Sequence, residues 1–170
     1  MRKGRLIIAS VVLVVGLLGM WGCDSWAPGE SDFNLIFKYG ITAKNELDTF
    51  QGTYTKDMVI DPSITVPLSL SVEEKGRIYQ KMVEVDFFSY PDRFSVSVPA
   101  GELIGMVTPY SSYYFKVEYN SKVKELWWDD EIVYKDERAD KLRGLITLIR
   151  DIAESKEEYK KLPEPRSAYL

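Results

Sequence analysis

Histidine is absent from all 170 residues, and cysteine occurs once, at position 23. Without an imidazole there can be no Ser-His-Asp triad, no Cys-His pair and no His-ligated zinc site. One thiol excludes a disulfide within the chain. Neither G-x-x-x-x-G-K-[ST] nor G-x-G-x-x-G occurs, so no phosphate-cradling glycine loop is recognisable and no cofactor is expected. An excess of basic residues is lacking too: 22 Lys and Arg stand against 26 Asp and Glu, a net charge of −4. That balance argues against a nucleic-acid partner and against a polybasic membrane-surface role. There is no internal repeat and no low-complexity tract. Any catalysis would have to run on carboxylates, lysines or tyrosines.

One long apolar run is present, and it lies at the start. Arg2, Lys3 and Arg5 precede Leu6 to Gly22, and the run stops at Cys23, followed by Asp24 and Ser25. As a helix, that run spans roughly 25 Å, short of the ~30 Å hydrocarbon core of a bilayer. A basic end, a short apolar stretch and an abrupt polar sequel describe an export signal.

Met20-Trp21-Gly22-Cys23 resembles the lipobox of bacterial lipoproteins, with an apolar residue at −3, small residues at −2 and −1, and then the modified cysteine. Gly22-Cys23 matches; Trp21 is bulkier than the usual −2 residue. The resemblance covers only this leader. It implies that residues 1–22 are a signal peptide removed before Cys23, and that Cys23 carries a diacylglyceryl thioether with further acylation at its new amine. One acyl chain holds a protein marginally to a membrane and two hold it stably, so such a group is an anchor. The alternative is an uncleaved signal-anchor helix, and both readings place the domain on the extracytoplasmic face of the cell membrane.

Losing residues 1–22 removes three bases and no acid, which takes the net charge from −4 to −7. Residues 23–32 contain Pro28, Gly29 and small polar residues and read as anchor and tether. Residues 33–162 read as a single domain, long enough to bury roughly 68–70% of its unfolded surface. Residues 163–170, with two prolines, read as a loose tail.

Within the domain, Phe33, Leu35, Phe37 and Tyr39 alternate with polar or smaller residues, a strand pattern ended by Gly40. Residues 45–48 are expected as a turn, and 49–58 as a strand with Gly52 at a bulge or close approach. Residues 64–70 are expected as a short edge strand because of Pro67. Ser71-Val72-Glu73-Glu74 has the form of a capping box opening a helix with Ile78, Met82 and Val85 on one face. Residues 93–98 alternate as another strand, with Phe94, Val96 and Val98 on one side.

Residues 113–128 carry the clearest tertiary signal. A turn at Asn120-Ser121 pairs Tyr119 with Lys122, so that Phe115 faces Leu126 and Tyr113 faces Trp128, while Lys116 meets Glu125 and Tyr114 meets Trp127. An amphipathic helix follows over residues 136–161, with Leu142, Leu145, Ile146, Ile149, Ile152 and Ala153 as its apolar stripe. The order predicts an α+β fold, after the N-terminal signal helix: an antiparallel sheet with a central hairpin and two helices on one face.

Two features compete for function. Asp129-Asp130-Glu131 is the densest acidic cluster, but adjacent side chains diverge and the alternate spacing of a calcium loop is missing. A solvated strand exit is the plainer reading. If Phe115, Leu126 and Trp128 face the core, Tyr114 and Trp127 emerge together on the opposite side beside Asp129 and Asp130. Rigid rings flanked by acids suit an envelope protein or glycan, unless a second layer covers them. Residues 48–57 form another hydroxyl-rich strand region able to line a groove, with an ordinary half-exposed strand as the alternative. The expectation is therefore a membrane-anchored, non-catalytic binding module whose candidate binding residues are Tyr114, Trp127, Asp129 and Asp130, with Cys23 as the lipidated residue. The alternatives are a carboxylate-dependent envelope hydrolase acting on glycans, or a purely structural envelope protein. An enzyme would need two carboxylates converging in a cleft.

Overall fold

The computed structural model describes residues 32–169. The signal helix, Cys23 and all of the tether except Asp32 lie outside the described residues. No helix among those described is long and apolar enough to cross a membrane.

Alternation of apolar and polar side chains builds the strands, because successive residues of a strand point to opposite faces. In chain order they are β1 (Asn34–Tyr39), β2 (Asn45–Asp48), β3 (Thr53–Met58), β4 (Asp61–Pro67), β5 (Arg93–Phe94), β6 (Gly105–Met106), β7 (Ser112–Tyr119), β8 (Lys122–Asp129) and β9 (Ile132–Val133). Seven form one sheet in the order β4-β3-β2-β1-β7-β8-β5, antiparallel except where β5 joins β8 in parallel. The β7–β8 hairpin therefore sits fifth and sixth across the sheet, toward one edge, and not at its centre as expected; β1 holds the middle place. Its register is the expected one, from Tyr119↔Lys122 to Ser112↔Asp129. Asn120 and Ser121 both have positive φ, at 49° and 58°, as a two-residue type I′ turn requires. β6 and β9 pair separately as a small ribbon.

Helix α1 (Val72–Glu84) opens with the expected capping box: the Glu74 amide donates to Ser71 Oγ, and the Ser71 amide donates to the Glu74 carboxylate. Helix α2 (Glu137–Glu154) is capped by Asp136, which accepts from the Ala139 amide. Both helices pack into the core made by Leu35, Phe37, Leu47, Tyr54, Phe115, Val117, Leu126 and Trp128. Every residue of the expected α2 stripe is buried. The opposite face of the sheet, with Lys38, Glu46, Thr55, Tyr114, Lys116 and Trp127, has no described helix over it.

Several boundaries differ from expectation. Residues 45–48 are a strand, since Leu47 is buried and paired on both sides, which overrides the poor strand propensity of Asn, Glu and Asp. The turn lies instead at residues 49–52, where Gly52 has φ +63° and its missing Cβ leaves room for Ser69. β4 begins at Asp61 and ends at Pro67, on the edge as expected. Only Arg93 and Phe94 of residues 93–98 pair, although Val96 is also buried. The last helix stops at Glu154: Ser155 Oγ donates to the Ile152 carbonyl, Lys156 turns to extended backbone, and a one-turn α3 (Glu157–Lys160) restarts beyond it. Nor is the segment after it loose. Glu164 is bonded to Lys56, Arg166 to Asp61 and Tyr169 to Asp57.

Candidate functional site

Two concave regions carry the chemistry, one on the uncovered sheet face and one at an end of the sheet. On the face, Tyr114 of β7 and Trp127 of β8 are direct cross-strand partners with ring centroids 6.1 Å apart, and both are half-buried. Arg93 stands beside Trp127 on β5. The rings border a groove of about 500 Å³ that also includes Asp92, Lys124 and Glu125. Burial, then the Glu125 carboxylate to which it bonds, pushes the Tyr114 phenol above its ordinary pKa.

Asp129 orients the indole of Trp127. Its Oδ2 accepts from Trp127 Nε1 at 3.1 Å and its Oδ1 from Ser112 Oγ at 2.5 Å. Asp130 does not join them. It turns toward α2, where Arg143 donates Nε to Oδ2 at 3.0 Å and Nη2 to Oδ1 at 2.6 Å. Consecutive strand-end residues diverge, so the four expected binding residues split into Tyr114, Trp127 and Asp129 on one side and Asp130 on the other. The idea that the acidic triplet is a solvated exit is corrected as well: Asp129 and Asp130 are half-buried and hydrogen-bonded. Among the described residues no group of three His, Cys, Asp or Glu could hold a metal ion.

The second region is a cleft of about 350 Å³ between the sheet, the C-terminal half of α2 and residues 164–169. It lies where β1 ends and β3 turns into β4, opposite the end at which Asn34 enters the sheet beside the β7–β8 turn. Four tyrosines wall it: Tyr39, Tyr113, Tyr159 and Tyr169. Tyr39 and Tyr54 meet hydroxyl to hydroxyl at 2.5 Å, and Tyr39 also donates to Glu154 Oε1 at 3.5 Å. Arg150, one turn back on α2, donates Nε and Nη2 to the same Glu154 oxygen at 3.3 and 3.2 Å. Lys56, whose side chain is 7% exposed, donates to Glu164 Oε1 at 3.0 Å. Tyr169 donates to Asp57 Oδ2 at 2.6 Å and accepts from Lys44 at 2.8 Å.

Each of three rings carries a cation on its face: Arg150 over Tyr39, Lys56 over Tyr159 and Lys44 over Tyr169, at 5.1–5.2 Å from the centroids. Burial pushes the Tyr39 phenol up to about 12, offset in part by its bond to Tyr54. Burial, then the neighbouring Tyr39, drives Tyr54 well above the ordinary range. Burial works against the charge of Arg150, but Glu154 and Tyr39 together offset it and hold the guanidinium above its usual pKa. At neutral pH these phenols are therefore protonated donors rather than bases.

This cleft was missed in sequence, apart from the part that residues 48–57 contribute. Tyr54 and Lys56 are buried, not half-exposed as an ordinary strand would leave them. One signal was available. On β3 the inward positions run Tyr54, Lys56, Met58, and a lysine on an otherwise apolar strand face demands a partner.

No known family matches the chain, and no solved structure matches it. It is similar to a non-toxic nonhemagglutinin of Paraclostridium bifermentans, at 27% identity over 112 residues, which is 65% of this chain and 10% of that protein. The chain thus spans about a tenth of the length of that relative, whose name denies it two activities and affirms none.

Proposed function

We propose that this chain is a membrane-anchored binding module of a bacterial envelope, held at the extracytoplasmic face by lipid on Cys23. It captures an envelope protein on the uncovered face of its sheet and catalyses no reaction. The observation that carries this reading is the Tyr114–Trp127 pair. Its rings stay half-exposed on a face that no described helix covers, and Asp129 fixes the indole in place. Rigid aromatic side chains bury much area at little entropic cost, which favours them as anchors for a partner.

Three further points support it. The tether from Cys23 to Phe33 reaches at most roughly 35 Å, so a lipid on Cys23 keeps the domain close to the bilayer. A net charge of −7 after signal removal disfavours adhesion to anionic lipid headgroups, which leaves the acyl chains as the attachment. Asp57, Asp129, Glu154 and Glu164 each accept hydrogen bonds from neighbouring side chains, which gives these carboxylates a structural role.

Labelling with radioactive palmitate tests the anchor: label enters the wild-type chain and not Cys23→Ser. Equal label in both, or none in either, overturns it. Crosslinking in intact cells tests the face. A discrete adduct formed by the wild type is lost in Trp127→Ala, and its persistence there removes the sheet face from the proposal.

A further inference from the structure

We infer that the tyrosine-walled cleft at the far end of the sheet is a second binding site, and that its ligand is a neutral saccharide. The inference shares only non-catalytic capture with the proposed function and depends on neither Trp127 nor Cys23.

The argument is one of elimination by charge and of fit by hydrogen bonding. Three carboxylates, Asp57, Glu154 and Glu164, balance the three cations Lys56, Arg150 and Lys44, and Lys56 and Arg150 are each already paired with one of them, so a phosphate or carboxylate ligand finds no net positive charge to hold it. A quaternary ammonium ion needs a cage of open aromatic faces, yet Arg150, Lys56 and Lys44 already lie over the rings of Tyr39, Tyr159 and Tyr169, which leaves Tyr113 alone. A purely apolar ligand would take water from the Arg150–Glu154 and Lys56–Glu164 pairs and return no hydrogen bond.

A polyhydroxylated ring avoids all three objections. A hydroxyl donates and accepts at once, and both capacities are on offer. All three hydrogen bonds to Glu154 fall on Oε1, so Oε2 has no hydrogen-bond partner among the described residues. Lys56 uses one of its three N–H donors on Glu164. Tyr113 supplies a ring edge or face for the C–H side of a sugar; it is half-buried, and no cation lies over it among the described residues. The volume of about 350 Å³ falls near the low end of the roughly 300–1,000 Å³ typical of small-ligand sites, which suits a unit of one or two rings. Residues 164–169 form one wall, fastened through Lys56, Asp57 and Asp61, so the site exists only with the C-terminal segment in place.

The test uses the full chain in micelles of a polyoxyethylene ether, a detergent without a sugar headgroup. Saturation-transfer NMR and calorimetry are run with chitobiose, maltose and cellobiose as probes, and with inorganic phosphate and tetramethylammonium for comparison. Saturable binding of at least one disaccharide is expected, weakened about tenfold or more by Arg150→Gln and by Tyr169→Ala, and unchanged in Lys122→Gln at the opposite end of the sheet. Thermal midpoints are recorded for each variant. Should Arg150→Gln unfold, Tyr169→Ala decides the matter, because Tyr169 lies in the exposed segment after α3. The inference is overturned if none of the three disaccharides binds, if phosphate or tetramethylammonium binds more tightly, or if Tyr169→Ala binds like the wild type. Loss of sugar binding in Trp127→Ala with the cleft variants unaffected would move the ligand to the sheet face and overturn it as well. Palmitate labelling and crosslinking of the anchored chain read the other proposal separately.

Discussion

The hydroxyls of Tyr39 and Tyr54 meet 2.5 Å apart inside the domain, reaching across β2, and Tyr39 extends the chain of bonds to Glu154 on α2. This contact joins the sheet to the last long helix through polar atoms within an otherwise apolar core. Its protons have a consequence for stability.

Burial raises the Tyr39 phenol from 10.0 to about 12, and Tyr54 moves in the same direction. Between those two values the folded chain holds a proton that the unfolded chain has released. The stabilisation is therefore complete below about pH 10 and is lost as pH rises toward 12. The urea midpoint is expected to fall across this window. Tyr39→Phe lowers the unfolding free energy at neutral pH by about 1 kcal/mol for the lost hydrogen bond, but its midpoint declines less steeply in alkali. An alkaline slope identical to that of the wild type would exclude Tyr39 as its source.

Adjacent tryptophans make the cleanest contrast between core and surface. Trp128 is fully buried, packs against Phe94 and Tyr113, and carries the Arg143 guanidinium over its ring. Trp128→Ala should cost about 3–5 kcal/mol in chemical denaturation. Trp127→Ala removes a half-exposed ring and one hydrogen bond and should cost about 1 kcal/mol. A reversed order of the two losses would contradict the assignment of faces.

Two glycines give substitutions of opposite sign. At Gly40, φ is +93° and an added Cβ would lie 2.8 Å from Asn45 Nδ2, while Asn45 bonds both the Tyr39 carbonyl and the Asp57 amide. Gly40→Ala should destabilise by more than about 1 kcal/mol, the scale of a strained backbone position. Gly76 lies inside α1 with nothing within 4 Å of its would-be Cβ. There Gly→Ala should stabilise by about 0.5–1 kcal/mol, by reducing the entropy lost on forming the helix. Thermal melting of the two variants reads both signs.

Asp130 and Arg143 join the end of β8 to α2 with a two-pronged contact that is partly screened by solvent. A double-mutant cycle with Asp130→Ala and Arg143→Ala should give a coupling of about 1 kcal/mol, the upper range for such pairs. A coupling near zero would make the contact a surface coincidence.

Much of the fold is legible because its rules are local. Tyr119 and Lys122 flank a two-residue turn, and a period of two then sets every pair down to Ser112 and Asp129. Ser71 and Glu74 mark the start of α1 within a single turn of helix. By contrast, nothing near Arg93 foretells a parallel pairing with Trp127, because that contact depends on how the chain returns to the sheet edge. Nor does the even charge pattern of residues 136–161 reveal the break at Ser155. The apolar stripe ends at Ala153, and α3 answers to its own contacts with the sheet, among them Tyr159 against Tyr54.

By itself the chain determined which side chains of the hairpin and of the two long helices turn inward, since periods of 2 and 3.6 are properties of neighbouring residues. Only the tertiary structure decided that Tyr39, Lys56, Arg150, Glu154 and Tyr169 surround one cleft. Those residues are separated by up to 130 positions, and their meeting depends on strand order, on the path of α2 across the sheet and on the ion pairs that hold residues 164–169 in place.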